Sequence, residues 1–155
     1  MTIQRSDSKV LAVLAENRIM SIATVRPDGW PQATTVGYIS DGLDLYFLIA
    51  RDSQKLANIG REPRVSIAIA HDAPDHIRGL SMAAHATEVT DVGEIERINE
   101  LIMARYPEQA IFAPRQASAA LMRATPTVIS VIDHSKGPGA PELLQVTDAG
   151  LYLLE

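Results

Sequence analysis

The run RIMSIATVRPDGWPQATTVGYISDGLDLYFLIA, residues 18–50, decides the fold. Residues 18–25 are rich in apolar and β-branched side chains and read as a strand. Pro27-Asp28-Gly29 is turn chemistry, since Pro fixes φ while Asp and Gly accept the bend. A second strand is expected over residues 30–40, and Asp41-Gly42 makes another tight turn. Leu43, Leu45, Phe47 and Ile49 then alternate with Asp44, Tyr46, Leu48 and Ala50, the period of a third strand. Together these predict a three-stranded antiparallel meander.

Upstream, Ser6 or Asp7 can cap a short helix with Val10, Leu11 and Leu14 on one face, stopped at Asn17. Downstream, Asp52 or Ser53 can cap a helix through Leu56, Ala57 and Ile59 that Gly60 and Pro63 end. Val65, Ile67 and Ile69 give a fourth strand, residues 71–77 a polar loop, and residues 78–90 a fifth strand. Asp91 and Glu94 have capping-box spacing and open a helix with Ile95, Ile98, Leu101 and Ile102 on one face. Residues 107–116 read as a loop, 117–123 as a short helix, 127–132 as a sixth strand and 143–146 as a further strand. Several strands joined by tight turns, without βαβ alternation, predict a closed or partly open antiparallel barrel. No GxGxxG or GxxxxGKS motif, internal repeat, low-complexity tract or linker occurs, so residues 1–155 read as one domain.

Composition narrows the function. The 155 residues carry a net charge of −5, which argues against a nucleic-acid or anionic-membrane surface. With no cysteine, disulfides, thiolate nucleophiles and Cys-ligated metal are excluded. No segment reaches the roughly 20 apolar residues of a membrane span, and the N-terminus has no signal-peptide pattern. A cytoplasmic protein is expected. Aromatic residues at 5% weaken any base-stacking platform.

The chemistry-bearing stretch is Ile49-Ala50-Arg51-Asp52-Ser53-Gln54-Lys55, where a strand gives way to a helix. Such a junction offers unpaired backbone N–H groups and the positive end of a helix dipole, which suits a phosphate. Arg51 and Lys55 add charge and Ser53 a hydroxyl. The plainer alternative makes Ser53 only a cap, Lys55 a solvated side chain and Arg51 the partner of Asp52. His71 and His76 flank Asp72 and Asp75 in a polar stretch, but their spacing is not that of a metal site. His85 stands among small residues as a core or interface histidine or as a ligand contact. Trp30 is expected to pack in a core or interface. No general base or acid pair stands out, and the catalytic residues are unknown.

Residues 23–36, then Leu45-Tyr46-Phe47, Ser53-Gln54-Lys55 and Arg61-Glu62-Pro63-Arg64-Val65-Ser66-Ile67, form an ordered set. That set resembles the pyridoxamine 5′-phosphate oxidase-like flavoproteins, the FMN-binding split-barrel superfamily. The resemblance covers residues 18 to about 90, and residues 129–137 look like a late strand and loop of some members. It implies a mainly β protein with peripheral helices, a six- to seven-stranded antiparallel split barrel. It also implies a homodimer with FMN at the interface and a small organic substrate for oxidoreduction. Thr34, Thr35 and Val36 would run beside the isoalloxazine, with Ile49 and Ala50 along the ribityl chain and ring edge. Arg51, Ser53, Gln54 and Lys55 would hold the phosphate, and His85, Lys136 and Gly137 would approach from the partner chain.

The departures shape the expected substrate. Thr34 stands where many members carry a phosphate-binding arginine, so Arg51 and Lys55 would have to supply the charge. Ile39 stands where true pyridoxamine phosphate oxidases carry a lysine for the substrate phosphate. Their arginine-rich C-terminal motif has no counterpart in Leu151-Tyr152-Leu153-Leu154-Glu155. The vitamin-B6 substrate is therefore not carried over. A deazaflavin-dependent reductase, a non-catalytic flavin- or haem-binding barrel and a cofactor-free interaction domain remain as alternatives.

Overall fold

Two long strands at the centre carry the sheet, and their alternating side chains give it an apolar inner face. The computed structural model describes residues 4–74, 76–107, 118–135 and 137–154. The elements in order are α1 (Gln4–Glu16), β1 (Ile19–Val25), β2 (Pro31–Gly37), β3 (Ile39–Asp41), β4 (Asp44–Ala50), α2 (Gln54–Arg61), β5 (Arg64–Ala73), β6 (His76–Glu88), α3 (Val92–Arg105), β7 (Ala119–Asp133), β8 (Glu142–Thr147) and β9 (Gly150–Leu153). Strands are ordered β2-β1-β5-β6-β7-β4-β3, all antiparallel, with the β8–β9 hairpin attached to β7. β2 approaches β4 without a ladder between them, so the barrel is split along that seam. The seven-stranded path matches the expectation; the β8–β9 hairpin extends it.

Inward residues of every long strand form one core, including Met20, Ile22, Phe47, Ile67, Leu80, Met82, Met122 and Ile129. Helix α1 closes one side with Val10, Val13 and Leu14, all buried, while Leu11 is exposed. The burying face therefore follows the 10-13-14 spacing rather than 10-11-14. A second cluster docks α3 onto the outside of β3, β4 and β7 through Ile95 and Ile98 against Ile39, Tyr46 and Leu121.

The expected meander does not form. Residues 30–40 break at Tyr38, whose N–H donates to the Arg18 carbonyl (2.9 Å) and whose hydroxyl donates to the Leu14 carbonyl (2.8 Å). Those bonds pull Tyr38 into the core, end β2 and start β3. β4 then pairs with β3 and β7, not β2. Both tight turns do form, with Gly29 and Gly42 at φ +82° and +60°. Trp30, beside the first, is 70% exposed and so does not pack into the core of its own chain.

Residues 71–73 and 76–77 continue β5 and β6 instead of forming a long loop, because His71 and Asp72 stay in register with Arg78 and Ile77. Residues 119–123 are strand, not helix: Ala119, Ala120, Leu121, Met122 and Arg123 each pair with β4. Single-turn helical spacing there coincides with strand alternation, and the ladder decides. Pro126 inside β7 is accommodated at a bulge, where the register shifts between Ala83 and Ala84. The loop expected over residues 107–116 lies, from residue 108 on, outside the described residues. The Asp91 side chain caps α3, accepting from the Glu94 N–H (2.8 Å). The Glu94 carboxylate does not close the capping box. It accepts from the Tyr46 hydroxyl and from Arg123, each at 2.7 Å, and so clamps α3 to the sheet.

At Gly79 the β5–β6 ladder leaves no room for a side chain: a Cβ there would sit 2.7 Å from the Ile69 carbonyl oxygen. Gly79→Ala should lower the unfolding free energy in urea by about 1–3 kcal/mol. Gly60→Ala, in α2 with open space around the position, should instead raise it by up to about 1 kcal/mol.

Candidate functional site

The junction singled out in the sequence is built around the start of α2. The Ser53 N–H donates to the Ala50 carbonyl (3.0 Å), turning the chain at the end of β4. Ser53 Oγ accepts from the Leu56 N–H (3.2 Å) and caps the helix. The Gln54 and Lys55 amides have no acceptor one turn earlier, as at any helix start. Ser53 keeps its own hydroxyl proton free to donate.

Asn58 fixes this helix start against the sheet. It is fully buried, and its Nδ2 donates to Thr24 Oγ1 (3.0 Å) and Gln32 Oε1 (3.1 Å). Its Oδ1 accepts from Gln54 Nε2 (2.8 Å). The Arg61 guanidinium also donates to the Val25 carbonyl (2.9 Å). α2 is thereby pinned to the paired ends of β1 and β2. The sequence reading missed Asn58, Gln32 and Thr24. The available signal was the four-residue spacing of Gln54 and Asn58, which puts both on one helix face.

Two features of the junction are unsatisfied. Lys55 is half-buried, and burial alone holds its ammonium pKa below the usual lysine value. No carboxylate among the described residues pairs with it. Thr34 Oγ1 is buried without a hydrogen-bond partner. Thr34 lies on the same face of β2 as Gln32, two residues further along the strand. A cation without a described anion thus stands at the capped helix start, and an orphaned hydroxyl lies on the same strand face as Gln32, which contacts that helix through Asn58. These groups fit a phosphate ester with a polar chain.

The other expected site residues divide. Ile49 is in the core and Val36 packs against it, on the inner side with Thr34. Ala50 is exposed at the end of β4. Arg51 is committed elsewhere: its guanidinium pairs with Glu88 (2.7 Å) and reaches the Ala119 carbonyl (3.4 Å), not Asp52. Thr35 and His85 are exposed on the opposite, outer face of the sheet. That face also carries the exposed small residues Ser21, Ser66, Ala68 and Ala83. Gly137 follows the end of β7 opposite to the end that pairs with Ala50. A single chain does not bring it to α2. Lys136 lies outside the described residues.

A cavity of about 480 Å³ opens at the far end of β2, between Gly37, β4 and the end of α3. Ile39, the position noted for its missing lysine, lines it. Among the described residues no three His, Asp or Glu side chains gather as metal ligands, and no helix is long and apolar enough to cross a membrane.

Comparison with known proteins agrees with this architecture. A protein from Listeria innocua, provisionally assigned as a pyridoxamine 5′-phosphate oxidase, superposes with a TM-score of 0.68 at 26% identity, over 82% of this chain and 98% of its own. The haem storage protein HutZ of Vibrio cholerae gives 0.64 at 19% identity, over 81% and 91%. An FAD-binding protein from Mesorhizobium loti gives 0.65 at 14% identity, over 86% and 93%. The last two show a shared split-barrel fold on which both flavin and haem proteins are built. The family model described as pyridoxamine 5′-phosphate oxidase matches residues 6–133, and the chain belongs to that family.

Proposed function

We propose that the protein binds FMN and uses it for oxidoreduction of a small organic substrate. The observation that carries this reading is the half-buried Lys55, unpaired among the described residues, at the capped start of α2; the orphaned Thr34 hydroxyl lies two residues along β2 from Gln32, which bonds that helix through Asn58. In this reading Lys55, the Ser53 hydroxyl and the Gln54 and Lys55 amides hold the phosphate, and Thr34 meets the chain that leads from it. Arg51 takes a supporting part, since Glu88 already neutralises it. When bound, the flavin supplies a two-electron acceptor and donor. The protein's own contribution is to hold that group in one orientation and to shield it from water along the split between β2 and β4.

The same reading includes a homodimer. Ser21, Thr35, Ser66, Ala68 and Ala83 make much of the outer sheet face small and open, with His85 and the Glu62-paired Arg64 at its edge. Small side chains let a second copy approach closely, and a two-fold interface would bring Thr35 and His85 of each chain against the other. A phosphorylated vitamin-B6 substrate is not part of the proposal, because Ile39 is buried and apolar where a cation would be required.

FMN should bind much more tightly than riboflavin when each is titrated into the protein stripped of any flavin. Lys55→Ala should remove about 1–3 kcal/mol of FMN affinity and leave riboflavin unchanged. A bound phosphate favours charged Lys55, whose free-state pKa burial lowers. FMN affinity should therefore fall as the pH rises through that lowered pKa, while riboflavin affinity stays flat. Equal affinity for the two flavins would overturn the phosphate assignment. Asn58→Leu should cost about 2–4 kcal/mol of stability, read by urea denaturation, because it strands Thr24, Gln32 and Gln54. Sedimentation equilibrium at micromolar concentration should give a dimer; a monomer that holds FMN would refute the shared interface.

A further inference from the structure

The cavity at the far end of β2 is separated from the α2 start by roughly 17 Å of strand, counting Gln32 to Gly37. Its volume of about 480 Å³ is that of a small-molecule site. Its walls are apolar and aromatic. Tyr38 and Tyr46 line it, but their hydroxyls are spent on the Leu14 carbonyl and Glu94. They present ring faces and edges to a ligand rather than polar groups. Ile39 and Ile102 complete an apolar wall, and Tyr106 adds a third ring. Among the described residues the Tyr106 hydroxyl has no hydrogen-bond partner.

Arg18 is the sole charged residue among those lining the cavity. Its carbonyl is tied to the Tyr38 N–H (2.9 Å), which fixes its backbone at the mouth. Its guanidinium has no described ion pair. Arg18 lines the aromatic slot, and a planar fork of donors is suited to a carboxylate on a flat ring, held at two points. Among the lining side chains one cation stands ready for one negative charge; Arg105 also acts on Tyr38. A phosphate dianion would enter with an excess charge that Ile39 and Ile102 leave uncompensated.

We infer that this cavity is the substrate pocket and that it selects a planar aromatic monocarboxylate, with the ring between Tyr38, Tyr46 and Tyr106 and the carboxylate on Arg18. That the ligand is a substrate rests on the flavin reading; that it binds here does not.

Calorimetric titration of the purified protein with 2-naphthoate, 2-naphthylmethanol and 2-naphthyl phosphate tests the inference without turnover. One naphthoate per chain is expected, at least ten-fold tighter than the neutral alcohol and than the phosphate. Arg18→Gln should erase the preference for naphthoate over the alcohol. Ile102→Trp, which fills the cavity from α3, should abolish binding of both. Added FMN should leave naphthoate affinity unchanged. No preference among the three probes, or an unchanged preference in Arg18→Gln, would overturn the inference. Competition between naphthoate and FMN would assign the cavity to the flavin ring and overturn it as well. The FMN and riboflavin titrations stand or fall separately from all of these results.

Discussion

A fully buried asparagine holds the candidate site together. Burying an amide without partners costs several kcal/mol, so Asn58 is tolerable only where its amide is satisfied. Thr24, Gln32 and Gln54 provide that, two from paired strands and one from its own helix. The amide therefore acts as a positional constraint: α2 can dock against β1 and β2 in one place and orientation only. Everything proposed for the phosphate follows from that docking. It puts the Ser53 cap at the edge of the barrel and leaves Lys55 half out of water, with no carboxylate among the described residues paired with it.

A second constraint sits at the other end of β2. Tyr38 interrupts what sequence alone presents as one strand, and its two hydrogen bonds tie the break to Arg18 and to the end of α1. The break releases β4 from β2 and leaves the seam along which the barrel is split. β2 thus runs between a polar, cation-bearing end and an apolar, aromatic end. The Glu94 clamp on Tyr46 and Arg123 holds α3 over the second end and gives the cavity its far wall.

Much of this was legible in the residues. Alternation in Leu43–Ala50 and Val65–Ala70, with Pro, Asp and Gly at the turns, is a local signal, and those strands form as expected. Ser53 as a cap is equally local. What was not legible depends on long-range pairing. Whether residues 119–123 coil or extend is decided by the partner strand β4. Where residues 30–40 break is decided by carbonyls far off in sequence, at Leu14 in α1 and at Arg18 just before β1. Arg51 was expected to supply charge at the junction, yet its fate depends on Glu88, 37 residues away. The strand-to-helix junction at Ala50–Gln54 is a local signal and forms as expected, but the distribution of charge within it needed the fold.

The central claim is that this split barrel is a flavin site with its phosphate on α2. The most direct measurement is an absorption spectrum of the protein after incubation with equal amounts of FMN and haem and removal of unbound ligand. The account predicts the two-band flavin spectrum at about one FMN per chain. A Soret band without flavin bands, or a colourless protein, would contradict it.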